Sequence, residues 1–242
     1  MSLIKSVNFS TLLSNNSSTS NPFFYLQSPI VLADSYCVSN CIGVNTTYNI
    51  DSRNNTLSFL ESISPGTNRT AILLVGNYTI TSFLTELSTA LTAAGTQAYT
   101  LTAPTLTDLI TITAPTRTFK ITNSLTGTDC LYESGLSVSS VYALSQTGLV
   151  SYDLSGLKII NIVCSSLGTG NTVTVNKNAN IILSIPIYAA YLSPTYYNPP
   201  LNFISSQIAE INSFEFYLMD ERYRTLTITK DRTLTILFKN DN

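Results

Sequence analysis

The chain has 242 residues, of which 44% are hydrophobic and only 11% are charged, and its net charge is −2. Twelve basic residues against 14 acidic ones exclude the strongly basic surface of a dedicated nucleic-acid binder. No histidine is present, which excludes the Ser-His-Asp and Cys-His catalytic arrangements. Ser, Thr and Asn supply more than a third of the residues. Such a hydroxyl- and amide-rich surface favours a protein that packs against neighbours.

Residues 1–21 predict a polar N-terminal arm. A weakly apolar beginning is followed by the low-complexity run SNNSSTSN, which cannot bury enough apolar surface to order itself. We expect an extended arm, or a strand completed by a partner. No apolar run has the length of a signal-peptide core or of a membrane span, so we expect synthesis in the cytoplasm and no membrane span.

Residues 22–242 predict a mainly β domain, which can be divided into sub-domains 22–147 and 148–242. FFYLQSPIVLADSYCV reads as one bent strand or two, interrupted by Pro29. GVNTTYNIDSRNNTLSFLES then alternates polar and apolar residues around the turn-forming DSRNN, which predicts a hairpin.

One amphipathic helix is predicted at about residues 81–94. Phe83, Leu84, Leu87 and Leu91 form a single apolar stripe at helical spacing. Thr79 or Thr81 supplies an N-cap hydroxyl, and Gly95 is a good stop because glycine tolerates a left-handed conformation. One stripe needs one apolar surface, so the helix should cover the core formed by the strands.

The second half of the chain predicts further short strands. AYTLTAP, LITITAP and TFKITNS are followed by LKIINIVCS, NTVTVNK, NIILSIPIYAAYL, INSFEFYLMD, RTLTITK and RTLTILFK, with turn signals between most of them. This pattern is typical of an antiparallel sandwich or barrel. The last two runs predict a C-terminal hairpin with Lys230 and Asp231 at its turn.

Two surface features are candidates for interfaces. The segment YLSPTYYNPPLNF is too rich in proline for a central strand, so it predicts an exposed aromatic loop at a subunit contact or an attachment tip, although its rings could instead fold back onto the sheet. Basic residues near the C-terminus predict an outward strand face that discourages edge pairing, with contacts to acidic neighbours and to nucleic acid as alternatives. The candidate interface residues are Tyr191, Tyr196, Tyr197, Phe203, Arg222, Arg224, Lys230 and Arg232.

No catalytic or metal residues are predicted, and no cofactor is expected. The cysteines are Cys37, Cys41, Cys130 and Cys164, and they lack the spacing of a zinc framework. We therefore expect buried or free thiols, with a disulfide and a metal site as alternatives. Glu210, Glu215, Asp220 and Glu221 are close in sequence, but a glycosidase pair would have to converge in a cleft. Glu215 between two phenylalanines favours a solvent face, and the residues after Asp220 favour a turn with surface ion pairs.

The order of motifs resembles minor capsid or penton-type proteins of virophages, Polinton-like elements and large double-stranded DNA viruses. The motifs are SPIVLADSYCV, NTTYNIDSRNN, a GNYT element opening a helix, short hairpins, YDLSGLKIINIVCSSL, and INSFEFYLMDE before the last strands. The resemblance implies an antiparallel jelly-roll-type sandwich in an icosahedral virion shell, without enzymatic activity. Its implied partners are the major capsid protein and further copies of the chain, with a pentamer as one option; no nucleic acid is expected.

Two other functional classes remain open at this level. A viral receptor-binding or fibre-head module would share the β content and the hydroxyl-rich surface, and it would form free trimers in solution. A carbohydrate-active enzyme would need an acidic cleft with two carboxyl groups at glycosidase spacing.

Overall fold

The computed structural model describes residues 3–10, 22–63, 66–124, 127–167, 181–227, 230 and 232–240. In these residues the elements, in chain order, are β1 (Leu3–Ser10), β2 (Phe23–Val44), β3 (Thr56–Glu61), β4 (Asn68–Ile72), α1 (Ile80–Ala94), β5 (Thr100–Thr102), β6 (Thr111–Thr113), β7 (Phe119–Ile121), α2 (Leu131–Ser134), β8 (Ser145–Thr147), β9 (Ile159–Cys164), β10 (Ile181–Pro186), β11 (Pro194–Tyr197), β12 (Ile204–Met219) and β13 (Arg232–Asn240). The ladders between these strands are antiparallel. The mainly β, antiparallel class is therefore confirmed, and it fits a jelly-roll-type sandwich.

The chain folds into two compact units. The first unit contains Met1–Thr46 and Leu157–Asn242, and the second contains Thr47–Gly156. The second unit is thus inserted within the sequence of the first. These boundaries differ from the predicted division near residue 147, because the β2 region pairs with strands of the last third of the chain.

The first unit is built on one seven-stranded sheet. Its strand order is β1-β13-β2-β12-β9-β10, and β11 also pairs with β2. Phe9 of β1 lies edge-on to Phe24 of β2 and to Phe214 and Phe216 of β12, with ring centroids 4.9 to 5.3 Å apart. Since β1 and β12 are separated by two strands in the sheet order, this contact shows that the sheet folds over its own apolar face.

The long strand β2 is continuous through Pro29. Its ladder with β12 is interrupted between the pairs Ile30–Ile211 and Tyr25–Ser213, which is where Pro29 lies. A proline has no amide hydrogen to donate, so it is tolerated where a bulge already interrupts the ladder. Of the two predicted alternatives, one bent strand or two separate strands, the structure has the single strand.

The last strand has different partners from those predicted. In β13, Leu234, Ile236 and Phe238 are buried and the residues between them are less buried, as the alternation predicts. However, β13 pairs with β1 on one edge and β2 on the other, so it has no edge left for residues 224–230. The predicted C-terminal hairpin is wrong for this reason, and Asp231 lies outside the described residues.

Part of the predicted arm belongs to the folded sheet. Strand β1 pairs with β13 of its own chain along its whole length, from Leu3–Asn240 to Ser10–Thr233. Phe9 is buried in the core of the first unit. Residues 11–21 lie outside the described residues, as does the predicted strand NTVTVNK.

The second unit contains the predicted helix. Its core joins α1 to two three-stranded sheets, β4-β3-β7 and β5-β6-β8. Phe83, Leu87 and Leu91 are fully buried, and Leu84 is partly buried against the same core. The helix therefore covers a β core with the predicted stripe. Among the described residues no helix is long and apolar enough to cross a membrane.

The helix begins and ends for identifiable reasons. The Thr79 hydroxyl accepts a hydrogen bond from Ser82 N–H, and the Ser82 hydroxyl accepts one from Thr79 N–H, which forms a capping box. Gly95 follows the last turn, but its φ of −85° is not left-handed, so the predicted reason for this glycine is wrong. A Cβ at this position would lie 2.7 Å from Tyr99 Cε2 and 2.9 Å from the Leu91 carbonyl oxygen. Gly95 is therefore required by close packing.

A charge at Leu87 should destabilise the second unit strongly. We expect Leu87→Asp to lower the free energy of unfolding by about 3 to 5 kcal/mol, because an unpaired carboxylate would replace a fully buried leucine. Thr85→Asp on the exposed side of the same helix is the control and should change it by less than about 0.5 kcal/mol. Chemical denaturation measures both, and equal effects would contradict the packing of α1 described above.

Candidate functional site

An extended segment of the first unit, residues 187–203, exposes an apolar face. Partly buried and exposed residues alternate strictly from 187 to 200. Tyr188 is 92% exposed and Tyr196 is 69% exposed, and Leu192 and Leu201 are also more than half exposed. Two tyrosines and two leucines thus face solvent from one short segment, which we call the aromatic segment.

Asn45 anchors the first part of the aromatic segment. Its backbone N–H donates to the Ser193 carbonyl at 3.0 Å, its own carbonyl accepts from Leu192 N–H at 2.7 Å, and its side-chain amide donates to the Ala189 carbonyl at 2.8 Å. Leu192 adopts a positive φ of 62°, which a leucine rarely does without such support. Asn45 is itself buried. The exposed side chains therefore project from a fixed turn.

The centre of the aromatic segment is a strand. Residues Pro194–Tyr197 form β11, which pairs with residues 41–44 of β2. Pro194 is the first residue of the strand, a position where a missing N–H is tolerated. The prediction of a loop is therefore wrong for these four residues. The edge strand holds Tyr196 outward and turns Tyr197 towards the core of the first unit.

The other two predicted aromatic residues are half-buried. Tyr191 lies on the inward side of the alternation, and Phe203 follows Pro199 and Pro200. The Lys239 ammonium lies 5.9 Å from the centroid of the Phe203 ring, close enough for a cation–π contact. The structure thus divides the four predicted rings: Tyr196 is mostly exposed, and the other three are partly buried.

Arg222 and Arg224 belong to a turn organised by a buried carboxylate. Asp220 is fully buried, and its side chain accepts hydrogen bonds from the backbone N–H groups of Arg222 and Arg224. Arg224 Nε also donates to Asp220 Oδ2 at 2.7 Å. The predicted surface ion pair is therefore an inward one, and Arg224 is engaged within its own chain. Of the predicted basic residues, Lys230 is exposed.

Arg232 does not provide a free outward charge. Its guanidinium donates to the Val44 carbonyl oxygen at 3.0 Å, and its side chain fills the space beside Gly43, where an added Cβ would lie 2.8 Å from Arg232 Cγ. Burial lowers the pKa of Arg232, and the neighbouring Cys41 acts in the opposite direction. The prediction of a strand face lined by outward charges is therefore not met at this position, because the side chain follows the surface of β2.

A second buried carboxylate fixes the end of α1 in the second unit. Glu61 is fully buried and accepts hydrogen bonds from the backbone N–H and the hydroxyl of Thr96 and from the Tyr99 hydroxyl, at 2.8 to 3.0 Å. Arg69 Nε lies 3.1 Å from Glu61 Oε2, and Arg69 also donates to the Ala94 carbonyl. The hydrogen bonds to Thr96, Tyr99 and Ala94 tie the residues at and just after the helix end to the sheet, and the Glu61–Arg69 pair joins β3 to β4. The carboxylate therefore has a structural role.

The described residues contain no group of three or more His, Cys, Asp or Glu side chains that could hold a metal ion. Cys37, Cys41, Cys130 and Cys164 are buried free thiols. Burial raises the pKa of Cys41 and of Cys164 to about 11, so both remain protonated and poorly reactive near neutral pH.

Sequence reasoning missed the residues that hold and extend the aromatic segment. Asn45 is far from the segment in sequence, and only the ladder between β2 and β11 brings them together. Tyr188 was assigned to the predicted strand NIILSIPIYAAYL, and Leu192 lies where that strand overlaps the predicted loop YLSPTYYNPPLNF. The sequence carried no usable signal for this face, because exposure alternates in residues 187–200 but polarity does not: Ser193 and Thr195 are partly buried while Tyr196 is exposed.

Comparison with known proteins gives one solved structure to report. The crystal structure of the selenomethionine-labelled mavirus penton protein is similar to this chain over 98% of this chain and 99% of that chain, with 10% sequence identity and a TM-score of 0.47. No protein-family model matches the sequence, and no curated protein matches it.

Substitution of the adjacent residues Tyr196 and Tyr197 should affect stability differently, because one ring is exposed and the other packs against the core. We expect Tyr197→Ala to lower the free energy of unfolding by about 1 to 2 kcal/mol, because its ring packs against the core of the first unit. Tyr196→Ala should change it by less than about 0.5 kcal/mol, because that ring is in solvent. Urea denaturation of the isolated subunit measures the difference, and a larger loss for Tyr196→Ala would contradict the orientation of β11.

Acid should weaken the second unit through Glu61. Burial alone would raise the pKa of Glu61, but the hydrogen bonds from Thr96 and Tyr99 and the charge of Arg69 together hold it below the ordinary value of 4.5. A lowered pKa stabilises the fold above the unfolded-state pKa, and this contribution is lost as the pH falls through the lower, folded-state pKa. We therefore expect the unfolding midpoint to fall on acidification below about pH 4.5.

Substitution identifies the group responsible. Glu61→Gln should lower stability at neutral pH and make the acid dependence less steep, because no carboxylate remains to be protonated at this place. The same substitution at Glu210, an exposed glutamate of the first unit, is the control and should change stability at neutral pH by less than about 0.5 kcal/mol. Thermal unfolding between pH 3 and pH 7 distinguishes the two variants.

Proposed function

We propose that this protein is a structural subunit of a viral capsid shell, of the minor-capsid or penton type, and that it acts by packing against neighbouring subunits. Its partners are then the major capsid protein and other copies of the chain, and its place is the virion. The observation that carries the proposal is the exposed apolar face of the aromatic segment on a rigid β framework.

This face has the properties of a binding surface. Large aromatic side chains dominate the energetics of protein interfaces, because they bury much area at a low entropic cost. Here Tyr188 and Tyr196 are presented by a segment that Asn45 and the β11–β2 ladder already fix. Binding therefore requires little further ordering of the backbone, which favours affinity.

The charge distribution supports packing against neighbours. Only 11% of the residues are charged, and Asp220, Arg224 and Glu61 among them are engaged within the chain. A surface with few free charges loses little hydration free energy when it is covered by another subunit. The resemblance in motif order then supplies the particular kind of assembly, a capsid shell.

Catalysis is not part of the proposal. Among the described residues, Glu61 and Asp220 are the fully buried carboxylates, and both accept their hydrogen bonds from groups of the chain itself. A glycosidase requires two carboxyl groups that face a substrate cleft with a water or a sugar between them. These side chains face turns and a helix end.

Removing the exposed rings should impair assembly but not folding. We expect the double variant Tyr188→Ser/Tyr196→Ser to raise the protein concentration needed for assembly at least tenfold, since truncating one hot-spot aromatic residue commonly costs about 2 kcal/mol. Its thermal unfolding should match that of the unchanged protein. Light scattering and negative-stain electron microscopy measure assembly, with the major capsid protein added.

A matched control tests whether the position matters. Tyr25 and Tyr132 are also more than half exposed but lie outside the aromatic segment, so Tyr25→Ser/Tyr132→Ser removes the same chemical groups elsewhere. Equal losses from both double variants would contradict a specific role for the segment. Normal assembly of the Tyr188→Ser/Tyr196→Ser protein together with lost attachment to host cells would instead favour a receptor-binding module.

A further inference from the structure

Strand β1 is attached to its sheet by a main-chain ladder and very few side chains. Eight residues pair with β13, and among the described residues no strand pairs with the other edge of β1. Phe9 is its one buried side chain among those whose burial is described, and Val7 is partly buried. Ile4 is exposed. The strand therefore depends on backbone pairing and a single aromatic anchor.

The site that receives Phe9 is formed by other strands. Phe24 of β2 and Phe214 and Phe216 of β12 surround its ring in edge-on contacts. A small apolar cavity of about 30 Å³ lies beside the ring, between residues of β2, β9, β12 and β13. None of these groups needs a covalent connection to β1. Any copy of residues 3–10 that reaches the edge of β13 can make the same contacts.

The sequence between β1 and β2 is long enough for such a copy to come from a neighbour. Residues 11–21 separate Ser10 from Pro22 and are mostly Ser, Thr and Asn. An extended chain spans about 3.3 to 3.6 Å per residue, so this connection can reach about 35 to 40 Å. That distance exceeds the diameter of a small domain's core.

We infer that β1 is exchanged between copies of this chain: residues Leu3–Ser10 of one copy pair with β13 of a second copy and place Phe9 among its Phe24, Phe214 and Phe216. The hydrogen bonds and ring packing that β1 gives up in its own copy form again in the second copy, which is the reason that segment exchange costs little. This inference rests on the proposed shell function, because assembly into a shell is what brings two copies close enough to exchange β1.

Assembly provides the condition that favours exchange. A strand tethered to its binding site by a short linker competes at an effective concentration of the order of millimolar. Neighbours held together within a shell present their own strands at a comparable concentration, whereas free subunits in dilute solution do not. Exchange should therefore accompany assembly and should link subunits without requiring any new binding surface.

Disulfide trapping tests the exchange. Thr235 Oγ1 donates to Asn8 Oδ1 at 2.7 Å, and the two residues are paired in the β1–β13 ladder. We would mix the single variants Asn8→Cys and Thr235→Cys, assemble them, oxidise them, and separate the products on a non-reducing gel. We expect a disulfide-linked dimer containing one chain of each variant.

Two controls fix the meaning of that dimer. Thr233→Cys mixed with Asn8→Cys is two residues out of register, since Thr233 pairs with Ser10, and it should give at least tenfold less dimer. The double variant Asn8→Cys/Thr235→Cys, oxidised as a dilute subunit, should close within one chain. Its closure shows that the cysteines are compatible with folding and can pair.

The outcomes separate this inference from the proposed function. Particles seen by electron microscopy without a mixed dimer would overturn exchange and leave the shell function standing. A mixed dimer at millimolar subunit concentration, in a protein that forms no particles with the major capsid protein, would overturn the shell function and leave exchange standing. Neither dimer nor particles would overturn both.

A peptide measurement avoids cysteine substitutions altogether. A fluorescent peptide of residues 1–10 at about millimolar concentration, which matches the effective concentration of the tethered strand, should compete with β1 of the full-length protein and should be incorporated into assembling particles. The same peptide with Phe9→Ala should bind at least tenfold more weakly, because it lacks the aromatic anchor. Equal binding of both peptides, or binding of neither, would overturn the inference.

Discussion

The backbone pairing of β2 is the constraint on which the first unit depends. This one strand of 22 residues pairs with β12 along its first part and with both β13 and β11 along its last part. The position of β13 in turn fixes β1, and the position of β11 fixes the aromatic segment. A one-residue change in the register of β2 would shift the strands that pair with it and would exchange its buried and exposed faces.

Local patterns predicted the elements better than their partners. The stripe formed by Phe83, Leu87 and Leu91 was sufficient to predict α1, because a helix is defined by residues within a few turns. The alternation in β13 likewise predicted a strand. Its neighbours could not be deduced in the same way: the residue that pairs with Leu234 is Cys41, and nothing near either residue specifies that match. The mistaken terminal hairpin follows from assuming that adjacent strands pair.

In the candidate site, too, local features could be predicted from the sequence and contacts between distant residues could not. Aromatic residues beside prolines indicated an unusual surface, and Tyr196 lies on that surface with its ring turned outward. The inward Tyr197 and the covered Arg232 depend on β2, which lies about 150 to 190 positions away in the sequence. Gly43 illustrates the difficulty well, because its lack of a side chain matters only once Arg232 lies across it. Such complementarity is a property of the folded surface and leaves no signal in either local sequence.

The order of the two units along the chain has a consequence for protein synthesis. The second unit, Thr47–Gly156, is continuous in sequence, so all of its strands and its helix emerge from the ribosome before β9 begins. It can complete its core before β12 and β13, the long pairing partners of β2, have been synthesised. During that interval β2 has neither of its long ladders, and an unpaired, apolar strand is prone to join the wrong partner. The pairing partners of β2 are complete only when β13 has been synthesised, so pairing between nascent chains on one polyribosome is the misassembly that this order of elements favours.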